Sequence, residues 1–310
     1  MRKWIKKLTL TSLAGLLSLT STVAFVAAEE GSDYEGETVK VGVVGDSSKE
    51  TWDAVSEKAK EEGITIETVL FTDYNQPNQA LQDGSIDLNA FQHVAYLDNW
   101  NEANGGDLEP IGFTLVTKLA LYSDKYQSIE DLPEGAQIAI PNDPTNGGRA
   151  LLALQIAGLI KVDEEAGILP EVGDITDNPK NIELVELDAS QTAASLPDVD
   201  AAFINSGYAT DAGLSPDKGL FVDTDQPDQL SDSYRNVIVA RSEDKDNPLY
   251  AKVIEFYQTP EIAKIITESS NGGSVPAWEG YQEGDSKDDG ETSADQASNE
   301  EANESDAESE

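Results

Sequence analysis

The sequence predicts an α/β fold of two lobes joined by crossover strands, with a ligand cleft between them. Three observations predict it. Short β-branched runs alternate with helical stretches through most of the chain. Two long extended stretches, 111–123 (IGFTLVTKLALYS) and 233–244 (SYRNVIVARSED), flank the middle third. Each is long enough to pass from one lobe to another. Two helices near the C-terminal side, about 248–257 and 260–269, then return the chain to the first lobe.

The elements follow in order. Residues 38–45 (TVKVGVVG) read as a buried strand ending in glycine. The next helix takes Ser48 as its cap, puts Trp52, Val55 and Ala59 on one face and stops at Gly63. Residues 64–71 (ITIETVLF) are the next strand, so the three form a βαβ unit with parallel strands. The pattern recurs: GSIDLNAF with a helix from about 92 to 103; AQIAIPND with NGGRALLALQIAGLI; IELVELD with SQTAASL; VDAAFIN with SGYATDAG. No fixed-period repeat is present, which excludes a solenoid. In open sheets of this kind ligands bind beyond the carboxyl ends of the strands, and a cleft between two lobes suits a small molecule. The expected boundaries are 38–115 with 240–279 for the first lobe and 116–239 for the second.

Charge and the two ends bound what the chain can do. Of 310 residues, 60 are acidic and 20 basic, for a net charge of -40. That excludes nucleic acid and anionic membrane surfaces as partners, because both need basic patches. Residues 1–28 carry four basic residues, then an apolar run, then VAA before Glu29, the parts of a secretory signal cleaved after Ala28. An uncleaved anchor is the alternative. Residues 29–37 read as an acidic linker and 280–310 as a disordered acidic tail, too polar to bury a core. Removing the signal's +4 and the tail's -11 leaves -33 on residues 29–280. The chain has no cysteine, so disulfides and cysteine nucleophiles are excluded.

The candidate site residues stand at strand ends. Tyr74 and Asn75 follow one strand; Asn89, Phe91, His93 and Tyr96 follow another, and His93 is the one histidine of the chain. A turn entering a helix would aim several of these rings into one cleft; packing in a core is the alternative. Residues 139–155 (AIPNDPTNGGRALLALQ) place Arg149 in the first turn of a helix, against the positive pole of its dipole. That position makes sense if arginine helps to hold an anion, its planar fork matching a carboxylate. Pairing with a nearby acid is the alternative. Asn205 ends a strand and Asn236 opens a crossover strand; each offers a side-chain oxygen to an ammonium, or simply forms a turn.

Enzyme signatures are absent. There is no GxxxxGK[ST], no histidine pair for a metal and no GxSxG, and VGVVGD lacks the third glycine of a dinucleotide loop. We therefore expect no enzyme, no cofactor and no metal. Carboxylates are too abundant for counting to find or exclude a glycosidase-type pair, so a secreted acidic hydrolase is the rival class.

Three motifs carry a family resemblance. FTDYNQPNQAL with GSIDLNAFQHVAYL, then PNDPTNGGRALLALQ, then SSNGGSVPAW resemble the methionine-binding, NlpA-type lipoproteins, from about Val39 to Trp278. The resemblance implies a two-lobed, periplasmic-binding-protein-like fold (type II) and an exported protein at the outer face of the cell membrane. Its implied partners are L-methionine or a close derivative and the permease and ATPase subunits of an ABC importer; it implies a monomer. Tyr74, Phe91, His93 and Tyr96 match the aromatic wall around the thioether, and that ring surface suits sulfur. Arg149 matches the carboxylate's partner; Asn205 and Asn236 match asparagines at the ligand's backbone end. Another small amino-acid derivative or a methionine-containing peptide is the alternative ligand. The family's lipidated cysteine has no counterpart in this sequence, so release, retention by an uncleaved signal or retention by the permease takes its place.

Overall fold

The computed structural model describes residues 34–223 and 231–281. The signal and residues 282–310 of the expected tail fall outside these residues; Tyr281, expected in the tail, instead packs its ring on Trp278 at 5.5 Å and against the first lobe's core. Within the acidic linker, Tyr34 packs against the first lobe's core and Gly36 N–H donates to Gly63 O at 2.9 Å. An aromatic ring in an otherwise polar stretch is what lets it dock.

The first sheet begins with β1 (Thr38–Val44), α1 (Asp46–Glu61) and β2 (Thr65–Phe71). It continues with α2 (Pro77–Gln82), β3 (Leu88–His93), α3 (Val94–Asn104) and β4 (Glu109–Thr117). The chain then leaves it. The second sheet takes β5 (Leu119–Tyr122), β6 (Gln137–Pro141) and α4 (Pro144–Ile156). A small ribbon of β7 (Lys161–Val162) and β8 (Ile175–Asp177) intervenes. The second lobe closes with β9 (Glu183–Leu187), α5 (Ala189–Thr192), β10 (Ala201–Asn205), α6 (Ser206–Asp211) and β11 (Phe221–Val222). The return supplies β12 (Arg235–Ala240), α7 (Pro248–Tyr257), α8 (Pro260–Ser269) and β13 (Ser274–Pro276).

The strand orders are β13-β4-β12-β3-β1-β2 and β11-β5-β10-β6-β9. Both sheets are mixed. β1, β2 and β3 run parallel, as do β6, β9 and β10, and the crossover-derived strands add antiparallel. A strand arriving from the other lobe enters from the opposite end, which reverses its direction. The stretch expected as one crossover strand is two strands broken at Lys118, one in each sheet. β12 pairs with β3 and β4 in the first sheet, so the second crossing precedes Arg235 instead of following Val239.

Each lobe has its own core. Val41, Trp52, Val253, Ile262 and Ile266 fill the first, which joins α1 to the returning helices α7 and α8. Leu121, Ile138, Leu154 and Phe203 fill the second. α1 starts two residues before the expected Ser48 cap. Gly45 takes φ of 88° and turns the chain straight from β1 into the helix, with no side-chain cap. α4 also starts early: Asp143 caps it through the N–H of Asn146 and Pro144 opens it. Arg149 is therefore in the second turn and not the first, which removes the dipole argument for its role.

Candidate functional site

A cavity of about 80 Å³ lies between the lobes. The first lobe contributes Tyr74, Phe91, His93, Tyr96, Asn236 and residues of the first turns of α1; the second contributes Asn146, Asn205 and Ser206. Six of the seven sequence-predicted residues thus line one cavity. Arg149 does not line it, although it lies close behind.

The aromatic residues form one connected wall. Tyr74 packs on Phe91 with centroids 5.8 Å apart and on Tyr96 at 6.2 Å, and Phe91 meets Tyr96 edge-on at 5.8 Å. Tyr96 Oη donates to Tyr74 O at 3.1 Å, which fixes the loop after β2 against α3. Burial raises the pKa of both phenols, so both stay neutral donors.

His93 sits at the junction of β3 and α3, not inside the helix as expected. Its Nδ1 accepts from Tyr96 N–H at 3.1 Å and caps α3. Because Nδ1 accepts, the proton of the neutral ring is on Nε2. Nε2 is buried and, among the described residues, has no hydrogen-bond partner. Burial above all, and then the charge of Arg149, lower the His93 pKa to about 3, against a smaller upward pull from Asn146. The ring is a neutral donor facing the cavity. Asn236 pairs directly opposite it in the sheet.

The orientation of Asn205 follows from a chain of donors. Asp143 can only accept, so Asn146 turns Nδ2 toward both of its oxygens, at 3.0 Å each. That leaves Asn146 Oδ1 to accept from Asn205 Nδ2 at 2.7 Å. Asn205 Oδ1 is then left buried with no partner among the described residues. A buried orphan costs about 1–3 kcal/mol, so an open donor and an open acceptor in one cavity are an invitation to a ligand that carries both complements.

Arg149 is 3% exposed. Its Nε donates to Asp223 Oδ2 at 2.7 Å and its Nη2 reaches the same oxygen at 2.6 Å and Thr117 O at 2.7 Å. Asp223 Oδ1 accepts from Leu119 N–H at 3.0 Å. The pair therefore ties α4 to both sides of the Lys118 crossing, the alternative left open by the sequence. Among the described residues no hydrogen bond uses Nη1, so one edge of the guanidinium stays open. The other two arginines of the folded part are spent elsewhere: Arg235 on Ala277 O, and Arg241 on Leu81 O, Ile86 O and Asp244.

The sequence reading missed several neighbours. Asn146 lies in the PNDPTNGGRALLALQ motif, three residues after Asp143, the spacing of an N-cap contact. Trp52, Ser47 and Thr114 line the cavity from positions that read as core or solvent face. Tyr234 stands between His93, at 5.5 Å, and the Arg149 guanidinium, at 4.9 Å from its ring. Its place beside a crossing gave no local signal. Among the described residues no cluster of His, Asp and Glu is arranged to hold a metal.

Two α/β lobes closed over an inter-lobe cavity define a substrate-binding clamp of the periplasmic-binding-protein type. The NlpA lipoprotein family model matches residues 39–278, and the chain belongs to that family. It is 42% identical over 272 residues to the D-methionine-binding lipoprotein MetQ of Yersinia pestis, covering 86% of this chain and 98% of that one. A solved structure described as the substrate binding protein of a methionine transporter from Streptococcus pneumoniae is 44% identical with a TM-score of 0.72, covering 78% of this chain and 96% of the other. A nutrient binding protein from Burkholderia cenocepacia, solved bound to methionine, is 41% identical with a TM-score of 0.73, covering 77% and 100%.

Proposed function

We propose that this chain is the extracytoplasmic binding component of an ABC importer, which closes its lobes around methionine and delivers it to the permease and ATPase subunits. One observation carries the reading: a single cavity joins an aromatic wall to an unpaired donor on His93 and an unpaired acceptor on Asn205. The wall suits a thioether, whose polarisable sulfur gains from ring contact. The acceptor suits the ammonium. The donor, backed by the open Nη1 of Arg149, suits the carboxylate. Asn236, opposite His93, borders the same end.

On this reading Arg149 does two things. Its Nε and Nη2 hold the Lys118 crossing through Asp223, and its Nη1 supplies charge to the ligand. The protein acts as a monomer outside the cytoplasm, against the membrane that carries its permease. None of these residues need do covalent chemistry, so the ligand leaves unchanged.

Titration calorimetry tests the reading. The protein is unfolded and refolded to strip carried ligand, then titrated with L-methionine, D-methionine and L-leucine. The sequence reading expects the L form, whereas the Yersinia pestis relative is named for the D form. We expect one-to-one, saturable binding of methionine, weak or no binding of leucine, and intact methionine recovered afterwards. A folded protein that gives no heat with either methionine, or one that converts it, sinks the proposal.

A further inference from the structure

α6 (Ser206–Asp211) is only six residues long, yet most of its side chains reach the other lobe. Tyr208 packs its ring on Tyr74 with centroids 5.0 Å apart. Its Oη donates to Thr72 O at 3.4 Å, two residues before Tyr74. Thr210 Oγ1 donates to Ser270 O at 3.4 Å, and Asp211 accepts from Asp46 N–H at the start of α1, at 3.2 Å. Ser206 lies against Gly273 so closely that any side chain at 273 would collide with it. All of these contacts bridge the two lobes.

The loop that carries Tyr74 is the shared target. From its own lobe it is held by the rings of Phe91 and Tyr96 and by Tyr96 Oη. From the opposite lobe it is held twice by Tyr208, and Asn75 Nδ2 donates to Asp188 Oδ2 at 3.0 Å. Tyr208 itself does not line the cavity, whereas Tyr74 does. We propose that Tyr208 is a positioning residue for ligand capture: it sets the Tyr74 ring over the cavity only when the lobes are shut, and so governs release of the ligand.

The kinetic consequence is asymmetric. Contacts made only in the closed state slow opening and leave the encounter with the open cleft untouched. A tilted aromatic pair of this kind is worth a factor of roughly two to ten in an equilibrium constant. The ring supplies most of it, because the hydroxyl contact is long. Asp211 is a weaker closing contact: burial raises its carboxyl pKa despite the N–H groups of Asp46 and Ser47, so its charge does not favour closure.

The inference rests on the methionine reading for its kinetic arm and not for its structural arm. Tyr208→Ala and Tyr208→Phe are compared with wild type in two measurements. The first is stopped-flow tryptophan fluorescence, with Trp52 in the cavity wall, which gives methionine association and release rates. The second is the inter-lobe distance distribution from spin labels at Lys60→Cys and Glu165→Cys, both exposed positions in a chain that has no native cysteine. We expect Tyr208→Ala to release methionine roughly two- to ten-fold faster with association no slower, to populate longer distances, and to keep the ligand-free melting temperature. Tyr208→Phe should restore wild-type release. Equal release and equal distances in Tyr208→Ala and wild type overturn the inference, as does a Tyr208→Phe variant as fast as Tyr208→Ala. If wild type itself fails to bind methionine, the proposed function falls, and the ligand-free distances alone decide the role of Tyr208.

Discussion

Removing Arg149 separates the two jobs given to it. In Arg149→Met the Asp223 carboxylate, 5% exposed, loses its partner inside the protein. Breaking a buried pair from one side costs about 3–5 kcal/mol, because the survivor is charged and desolvated. Asp223→Leu strands the guanidinium at a similar cost. The double variant strands neither charge. It leaves only Thr117 O and Leu119 N–H without their side-chain partners, at about 1–3 kcal/mol each. We therefore expect the double variant to lose about 2–6 kcal/mol, less than the roughly 6–10 kcal/mol that the single changes sum to. Urea unfolding followed by fluorescence gives all four stabilities. Binding follows a different pattern. Both variants without Arg149 should bind methionine on the order of hundreds-fold more weakly or worse, the well-folded double variant included. Asp223→Leu, which keeps the guanidinium, should lose less. Strictly additive stabilities would refute the buried pair. Near wild-type affinity in the double variant would refute the carboxylate role.

Other residues give further tests. His93 has its pKa held at about 3 in the folded protein, below the ordinary 6.5, so the unfolded chain takes up a proton that the native ring does not. Its contribution to stability is thus present above pH 6.5 and is lost as pH falls from 6.5 toward 3, with a slope of up to about 1.4 kcal/mol per pH unit. His93→Asn keeps a cap acceptor for α3 and should show a shallower acid loss than wild type; identical slopes would contradict the assignment. Phe91→Ala removes one face of the sulfur-contacting wall and should weaken methionine binding by roughly three- to ten-fold, read by calorimetry; an unchanged affinity would place the thioether elsewhere. Asn146→Ala frees the amide of Asn205 to rotate and should weaken binding, whereas Asn205→Ala should weaken it more; the reverse order would remove Asn205 from contact.

The legible parts of the fold were those set by local pattern. The β-branched run of β1, the apolar face of α1 and the two proline-opened helices α7 and α8 are each legible within seven to sixteen residues. The direction of the crossover strand β12 was not legible, because whether it runs with or against β3 depends on which lobe the chain returns from. The helix starts shifted for two stereochemical reasons, the positive φ of Gly45 and the Asp143–Pro144 cap. Within the site, the rings and both asparagines were readable because they stand at strand ends. The pairing of Arg149 with Asp223 spans 74 residues of sequence and could only be posed as an alternative. Tyr208 was missed for a related reason: its partner Tyr74 belongs to the other lobe, and no pattern within one helix reports a contact made by closure.

A crystal structure of the stripped protein grown with methionine examines the whole argument at once. The thioether should lie against Phe91 and Tyr96, the carboxylate within hydrogen-bond reach of His93 Nε2 and Arg149 Nη1, and the ammonium at Asn205 Oδ1. Methionine bound with its ends reversed, or found outside the cavity, would contradict that reading directly.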